Sequence, residues 1–261
     1  MIYDFYNLIV IVDYRPRSPP DNREVVYCLV ETEIIRERTT YTPVGTAFAI
    51  SKTSILTAYH NRPQSSDNFY LVRSLDRYTL LSQAIKLNKK AVRGDRDEDW
   101  IILQRDSGEF STFAKICPET DLPTVGAVIG IRDYPIGLIS VFSIQNVQEE
   151  SSKCECYSYS SKIIENAREL GFHFEFVHEL PPTTNEPRHV LTVTKGRVRG
   201  SCGAPYFCAD GKVAAFHVAS VDDGEEGSTD RSHVSYSQGY VLCRLPLFTA
   251  WYQIAFSVYL R

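Results

Sequence analysis

Apolar residues in this chain come in short runs, most of them four to six residues long, set off by turn residues. Val25–Val30, Gly45–Ile50, Ile55–Tyr59, Phe69–Val72 and Trp100–Leu103 make a first set. Ala127–Ile131, Ile139–Phe142, Val190–Val193, Tyr206–Cys208 and Lys212–Ser220 make a second, after a connection near Cys117–Pro123. Close-set short runs rich in Val, Ile and aromatics predict the strands of an all-β barrel or sandwich. Two stretches break this pattern. In Ser161–Leu170, Ile164, Ala167 and Leu170 recur at helical spacing before Gly171, which predicts a short inserted helix. At the C-terminus Leu247, Trp251, Ile254, Ala255 and Val258 fall on one apolar face of a closing helix. Pro181–Asn185 and Asp222–Gly227 read as loops, the second an acidic, solvated one.

The first residues hold one strand-like run, Leu8–Val12, followed by an extended proline-rich linker, Arg15–Asn22. Leu8–Val12 is too short for a signal core, and no later apolar run reaches spanning length, so no membrane partner is expected. A chain of 261 residues, 43% hydrophobic, can fill one large domain or two barrels of roughly 100 residues each. A net charge of −4 points away from nucleic acid as the main partner. Seven cysteines is an odd number in a chain too large to need disulfide staples. Reduced thiols and a cytoplasmic location are expected.

The densest chemistry lies in Arg199-Gly200-Ser201-Cys202-Gly203-Ala204-Pro205. Small residues flanking a thiol suit a tight turn with outward N–H groups. Such a turn presents a nucleophile and can bind the oxyanion formed when it attacks a carbonyl. Upstream, His60 ends the run Ile55–Tyr59, and an imidazole is a general base near neutral pH. Asp97-Glu98-Asp99 leads into Trp100–Leu103. Asp99 abuts the apolar run most directly, so its carboxylate is best placed to be partly buried and to orient an imidazole. Singly, these also read as a surface histidine, a solvated acidic turn and a buried cysteine. Cys154-Glu155-Cys156 has no second ligand pair for a metal, and His178-Glu179 lacks the second histidine of a zinc-protease motif.

Taken together and in this order, Thr57–His60, Asp99–Leu103 and Gly200–Pro205 resemble the chymotrypsin-like proteases. Thirty-nine residues separate His60 from Asp99, and 103 separate Asp99 from Cys202, which suits one barrel wall and one full barrel. Gly45–Phe48, Asp133-Tyr134-Pro135, Ser237–Val241 and the final helix with Trp251 extend the resemblance over about residues 24–259. It implies an all-β fold of two six-stranded antiparallel barrels with a C-terminal α-helix. The corresponding divisions are an N-terminal extension and linker, 1–23; a first barrel, 24–116; a connection, 117–126; a second barrel, 127–245; and the helix, 246–261. It also implies a protein or peptide substrate, a His60–Asp99–Cys202 triad, an oxyanion hole from the N–H groups of Gly200 and Cys202, and no metal or cofactor.

The departures from the family shape the expected activity. Cys202 stands where most members carry serine, as in the picornavirus-type cysteine proteases. Ser201 stands where secreted members have an aspartate that pairs with a newly cut N-terminus, and no internal Ile-Val-Gly-Gly activation site is present. His217, in Ala215-Phe216-His217, resembles the Gly-x-His strand of glutamyl endopeptidases and of the picornavirus-type enzymes. That resemblance implies an S1 histidine selecting Glu or Gln, with Gly239 and Arg197 also contributing to substrate binding. Arg199 is a second candidate for positive potential there. Two alternatives remain at this level: a serine protease using Ser201, and a protease-like fold that holds peptides without cutting them.

Overall fold

The computed structural model describes residues 18–35, 38–62, 68–73, 83–134, 140–148, 190–193, 200–222 and 235–257. The Leu8–Val12 run, the helix expected at 161–170, Cys154-Glu155-Cys156, His178-Glu179, the loop at 181–185, most of the acidic loop, Arg197 and Arg199 lie outside the described residues.

Six strands form the first barrel: β1 (Val26–Ile35), β2 (Arg38–Ala49), β3 (Ser54–Ala58), β4 (Phe69–Val72), β5 (Ile85–Asp95) and β6 (Trp100–Arg105). They are ordered β1-β2-β3-β6-β5-β4, and β4 closes on β1. The second barrel holds β7 (Val128–Asp133), β8 (Val141–Gln148), β9 (Val190–Val193), β10 (Pro205–Phe207), β11 (Val213–Asp222) and β12 (Ser235–Val241). Its order, β7-β8-β9-β12-β11-β10 closing on β7, repeats the connectivity of the first. All pairings between named strands are antiparallel. The fold is thus the expected pair of six-stranded barrels.

Side-chain alternation along the strands explains why the runs are apolar at every position. In β1, Tyr27 and Leu29 enter the first barrel's interior, whereas Val26, Cys28 and Val30 face the layer between barrels. In β6, Ile101 and Leu103 face inward while Trp100 and Ile102 face that layer. A strand buried on both faces loses the apolar–polar alternation of a half-exposed one. The shared layer also takes Phe207, Val213, Phe216 and Val218 from the second barrel, so the two barrels pack on one continuous core. β5 was not foreseen. Among its described side chains only Leu87 is buried, so it is held by its ladder and has no apolar run to announce it.

The closing helix, α1 (Pro246–Ser257), follows the second barrel. Its packed face matches the expected one only in part: Trp251 packs on the core, Leu247 and Ile254 do not, and Val258 lies outside the described residues. Phe248 is the buried anchor, edge-on to Trp100 at 5.5 Å, with Trp251 and Tyr252 beside it. Leu247 and Ile254 are instead 44% and 74% exposed. The helix docks through Trp251 of the stripe and through Phe248 and Tyr252 one position beyond it, because Trp100 offers an aromatic surface there. Pro246 opens the helix, where its missing N–H costs nothing. Glu98, from the turn before β6, accepts the N–H groups of Leu247 (3.0 Å) and Phe248 (3.3 Å). It thereby satisfies two donors that a helix start leaves over.

Candidate active site

The strand carrying His60 ends two residues earlier than its sequence suggests. β3 is buried throughout and stops at Ala58; His60 stands in the 3-10 turn Tyr59–Asn61. That turn lifts the imidazole out of the barrel wall toward the second barrel. Asp99 meets it from the turn between β5 and β6, which the buried Trp100 anchors in the core and whose Asp99 carboxylate is buried with it. The backbone of Asp99 is left-handed, with φ +52°. Such a conformation is uncommon away from glycine but tolerated best by Asp and Asn. It is pinned at both peptide groups: the Asp99 N–H donates to the Arg96 carbonyl (3.3 Å), and its own carbonyl accepts from the Tyr59 N–H (2.9 Å). The carboxylate accepts from the His60 backbone N–H (3.1 Å) and lies 2.9 and 3.1 Å from Nδ1. Its neighbour Glu98 turns the other way, to α1 and to the Trp100 indole N–H (2.7 Å).

On the other side, Gly200 and Gly203 adopt φ of +91° and +86° around Cys202. Gly203 has no alternative: a Cβ there would lie 2.1 Å from the Thr46 carbonyl oxygen. The Cys202 carbonyl accepts from the Thr46 N–H (2.9 Å) and the Asn61 side-chain amide (2.8 Å), which ties the nucleophile turn to the residue after His60. The Thr57 hydroxyl donates to the Thr46 carbonyl (2.7 Å) and accepts from Asn61 (3.0 Å). Cys202 lies in hydrogen-bonding reach of His60. Burial by itself pushes the imidazole pKa down, but the Asp99 carboxylate and Cys202, through charge and hydrogen bonds, outweigh it and hold the pKa well above 6.5. The geometry therefore suits an imidazolium with a carboxylate behind it and a sulfur in front.

The amides expected to form an oxyanion hole are those of Gly200 and Cys202. Among the described residues no backbone carbonyl accepts either N–H. The next two N–H groups are occupied, Gly203 donating to the His217 carbonyl (2.8 Å) and Ala204 to that of Ser201 (2.9 Å). Ser201 is fully buried, its hydroxyl donating to Asp133 at 2.5 Å.

His217 sits on β11, nearly fully buried. Its Nδ1 is 3.0 Å from the Tyr206 hydroxyl, and the two rings stack at 6.2 Å. Gly239 is its partner on β12. A Cβ at Gly239 would lie 2.9 Å from Tyr206 Cε2, so this glycine makes room for the tyrosine that orients His217. Burial raises the Cys28 thiol pKa, and a hydrogen bond to Cys117 together with burial raises that of Cys208. The hydrogen bond between Cys117 and Cys208 lowers the Cys117 thiol pKa. Among the described residues no group of three His, Cys, Asp or Glu is placed to hold a metal.

Thr46, Thr57, Asn61, Asp133 and Tyr206 escaped the sequence reading as site residues. Thr46, Asn61 and Asp133 are common polar residues with partners 154, 141 and 68 positions away, and Thr57 and Tyr206 meet partners 11 positions away that only strand pairing brings beside them. Gly45-Thr46 and Asp133-Tyr134 did appear there, but only as short family-like segments.

No protein-family profile and no curated protein matches the chain. Among solved structures it is similar to the active form of the Rv3671c protease from M. tuberculosis, with a TM-score of 0.56 and 14% identity over 89% of this chain and 87% of that one. The inactive Ser343Ala form of the same protease gives 0.53 at 15% identity, covering 87% of each chain. An HtrA-type protease, AlgW, solved with a decapeptide, gives 0.56 at 12% identity, over 89% of this chain but 63% of AlgW. The fold is that of the trypsin-like proteases.

Proposed function

We propose that the protein is a cysteine endopeptidase of the trypsin fold that cleaves after Glu or Gln. The observation that carries this reading is the position of His60 between the barrels, with the Asp99 carboxylate on Nδ1 and Cys202 within hydrogen-bonding reach. In the proposed reaction His60 takes the Cys202 proton, and the thiolate attacks the scissile carbonyl. The Gly200 and Cys202 N–H groups receive the developing oxyanion. His60 then protonates the leaving amine, and water releases the acyl group from sulfur. A thiol nucleophile suits a reducing, cytoplasmic compartment.

Two observations favour this over the alternatives. Ser201 is fully buried and its hydroxyl is directed at Asp133, away from the role of nucleophile. His60 has both a carboxylate and a sulfur as partners, more than a peptide-holding module requires. For specificity, the Tyr206 hydroxyl lies 3.0 Å from His217 Nδ1; in the proposed arrangement it donates there, which puts the ring proton on Nε2. That N–H matches the side-chain oxygen of Glu or Gln, and a site built around such a bond rejects side chains lacking an acceptor.

Cleavage of a peptide library by wild type, Cys202→Ala and His217→Ala tests the reading. Wild type should cut after Glu or Gln, Cys202→Ala should not cut, and His217→Ala should lose the P1 preference. A wild-type chain that binds peptides but leaves them intact would establish the silent module. Full activity in Cys202→Ala would move the nucleophile elsewhere.

A further inference from the structure

The nucleophile turn is held from behind by two consecutive residues at the end of β7. Asp133 is 1% exposed, and its Oδ2 accepts the Ser201 hydroxyl at 2.5 Å. That length falls in the range of charge-assisted O–H···O bonds. The Tyr134 N–H donates to Thr46 Oγ1 (3.1 Å), and that hydroxyl donates to the Gly200 carbonyl (2.7 Å). The peptide plane before Ser201 is therefore fixed through Thr46. The plane after it has its carbonyl on the Ala204 N–H and, on its opposite edge, the Cys202 N–H. Ser201 is the pivot between these planes, and its side chain is tied to Asp133.

We infer that Asp133 is a positioning residue: through the Ser201 hydroxyl it holds the 201–202 peptide with the Cys202 N–H turned outward to receive an oxyanion. An internal carboxylate and a hydroxyl thus do the work for which the resembling secreted enzymes use an aspartate and a cut N-terminus. The turn is held in its working form without any cleavage. This inference rests on the peptidase reading above.

Ser201→Ala and Asp133→Asn, compared with wild type, test it in four measurements. On a peptide substrate Ser201→Ala should lower kcat by about tenfold or more with KM nearly unchanged, since an oxyanion donor acts in the transition state. Inhibition by a peptide aldehyde, whose adduct carries an oxyanion, should weaken by a similar factor. Alkylation of Cys202 by iodoacetamide forms no oxyanion and should stay within about twofold of wild type. Asp133→Asn should keep most activity, because its amide oxygen still accepts the Ser201 hydroxyl. Wild-type kcat and aldehyde affinity in Ser201→Ala would overturn the inference. So would alkylation falling as far as kcat, which would make the pair a general support of the fold. Amide hydrogen exchange supplies the reading that needs no turnover. The Gly203 and Ala204 amides should exchange about tenfold faster in Ser201→Ala, with the strands unchanged, if the lock exists. If wild type cleaves nothing, the peptidase reading falls, and this exchange result alone upholds or overturns the lock.

Discussion

The charge on His60 connects its surroundings to measurable pH behaviour. Asp99 and Cys202 raise its pKa well above 6.5 against the opposing effect of burial. A raised folded-state pKa adds stability that is fully present below the unfolded value, near 6.5, and is lost as pH rises through the folded value. Denaturant titrations should therefore show wild type losing stability above pH 6.5, with a shallower decline in Asp99→Asn. Removing the Asp99 charge should also bring the alkaline limb of kcat/KM to lower pH. In Asp99→Asn the loss of kcat should be smaller than the ~10⁴-fold that the same change costs the serine triad, because a thiol is already partly ionised near neutral pH. A full loss of that size, or an alkaline limb that does not move, would count against the assigned roles.

Among the elements, helix α1 is tied to the proposed triad by one side chain. Glu98 accepts two first-turn N–H groups of α1 and the Trp100 indole N–H, while the next residue, Asp99, holds its left-handed backbone beside His60. The helix thus anchors the turn that presents the Asp99 carboxylate to His60. Glu98→Ala should lower stability by about 1–2 kcal/mol, the scale of a lost helix cap with a shared hydrogen bond. Glu98→Gln, which keeps one acceptor oxygen, should lose less. Urea unfolding of both variants checks this, and equal losses would mean that Glu98 acts by packing alone. Because a left-handed Asp is not a conformation the chain falls into unaided, Glu98→Ala should also lower kcat.

The whole molecule depends on polar bonds that cross between barrels at the centre of an apolar layer. Thr46 on β2 is the densest of these crossings, since it bonds Gly200, Cys202 and Tyr134 of the second barrel. Thr46→Val keeps the shape but leaves a half-buried carbonyl and a buried N–H without the hydroxyl. It should cost about 2–4 kcal/mol in denaturant unfolding and should reduce activity by more than its stability loss explains. Stability within about 0.5 kcal/mol of wild type would show that water or a neighbour replaces the hydroxyl.

Local chemistry written along the chain predicted an all-β barrel or sandwich, and the resemblance of its motifs implied the pair of six-stranded barrels. Strands buried on two faces leave continuous apolar runs, so β1, β3, β4 and β6 are visible in the sequence, and glycines with left-handed backbones mark the nucleophile turn. The order of His60, Asp99 and Cys202 carried the triad hypothesis. What escaped depended on contacts that only folding supplies. β5 is stabilised by its ladder rather than by an apolar run, and α1 chose Phe248 over Leu247 because Trp100 awaited it. The supports of the site, Thr46, Asn61, Asp133 and Tyr206, are ordinary polar residues until folding removes water from around them. Burial then makes an unmet hydrogen bond costly, and only the three-dimensional arrangement decides which distant group meets it.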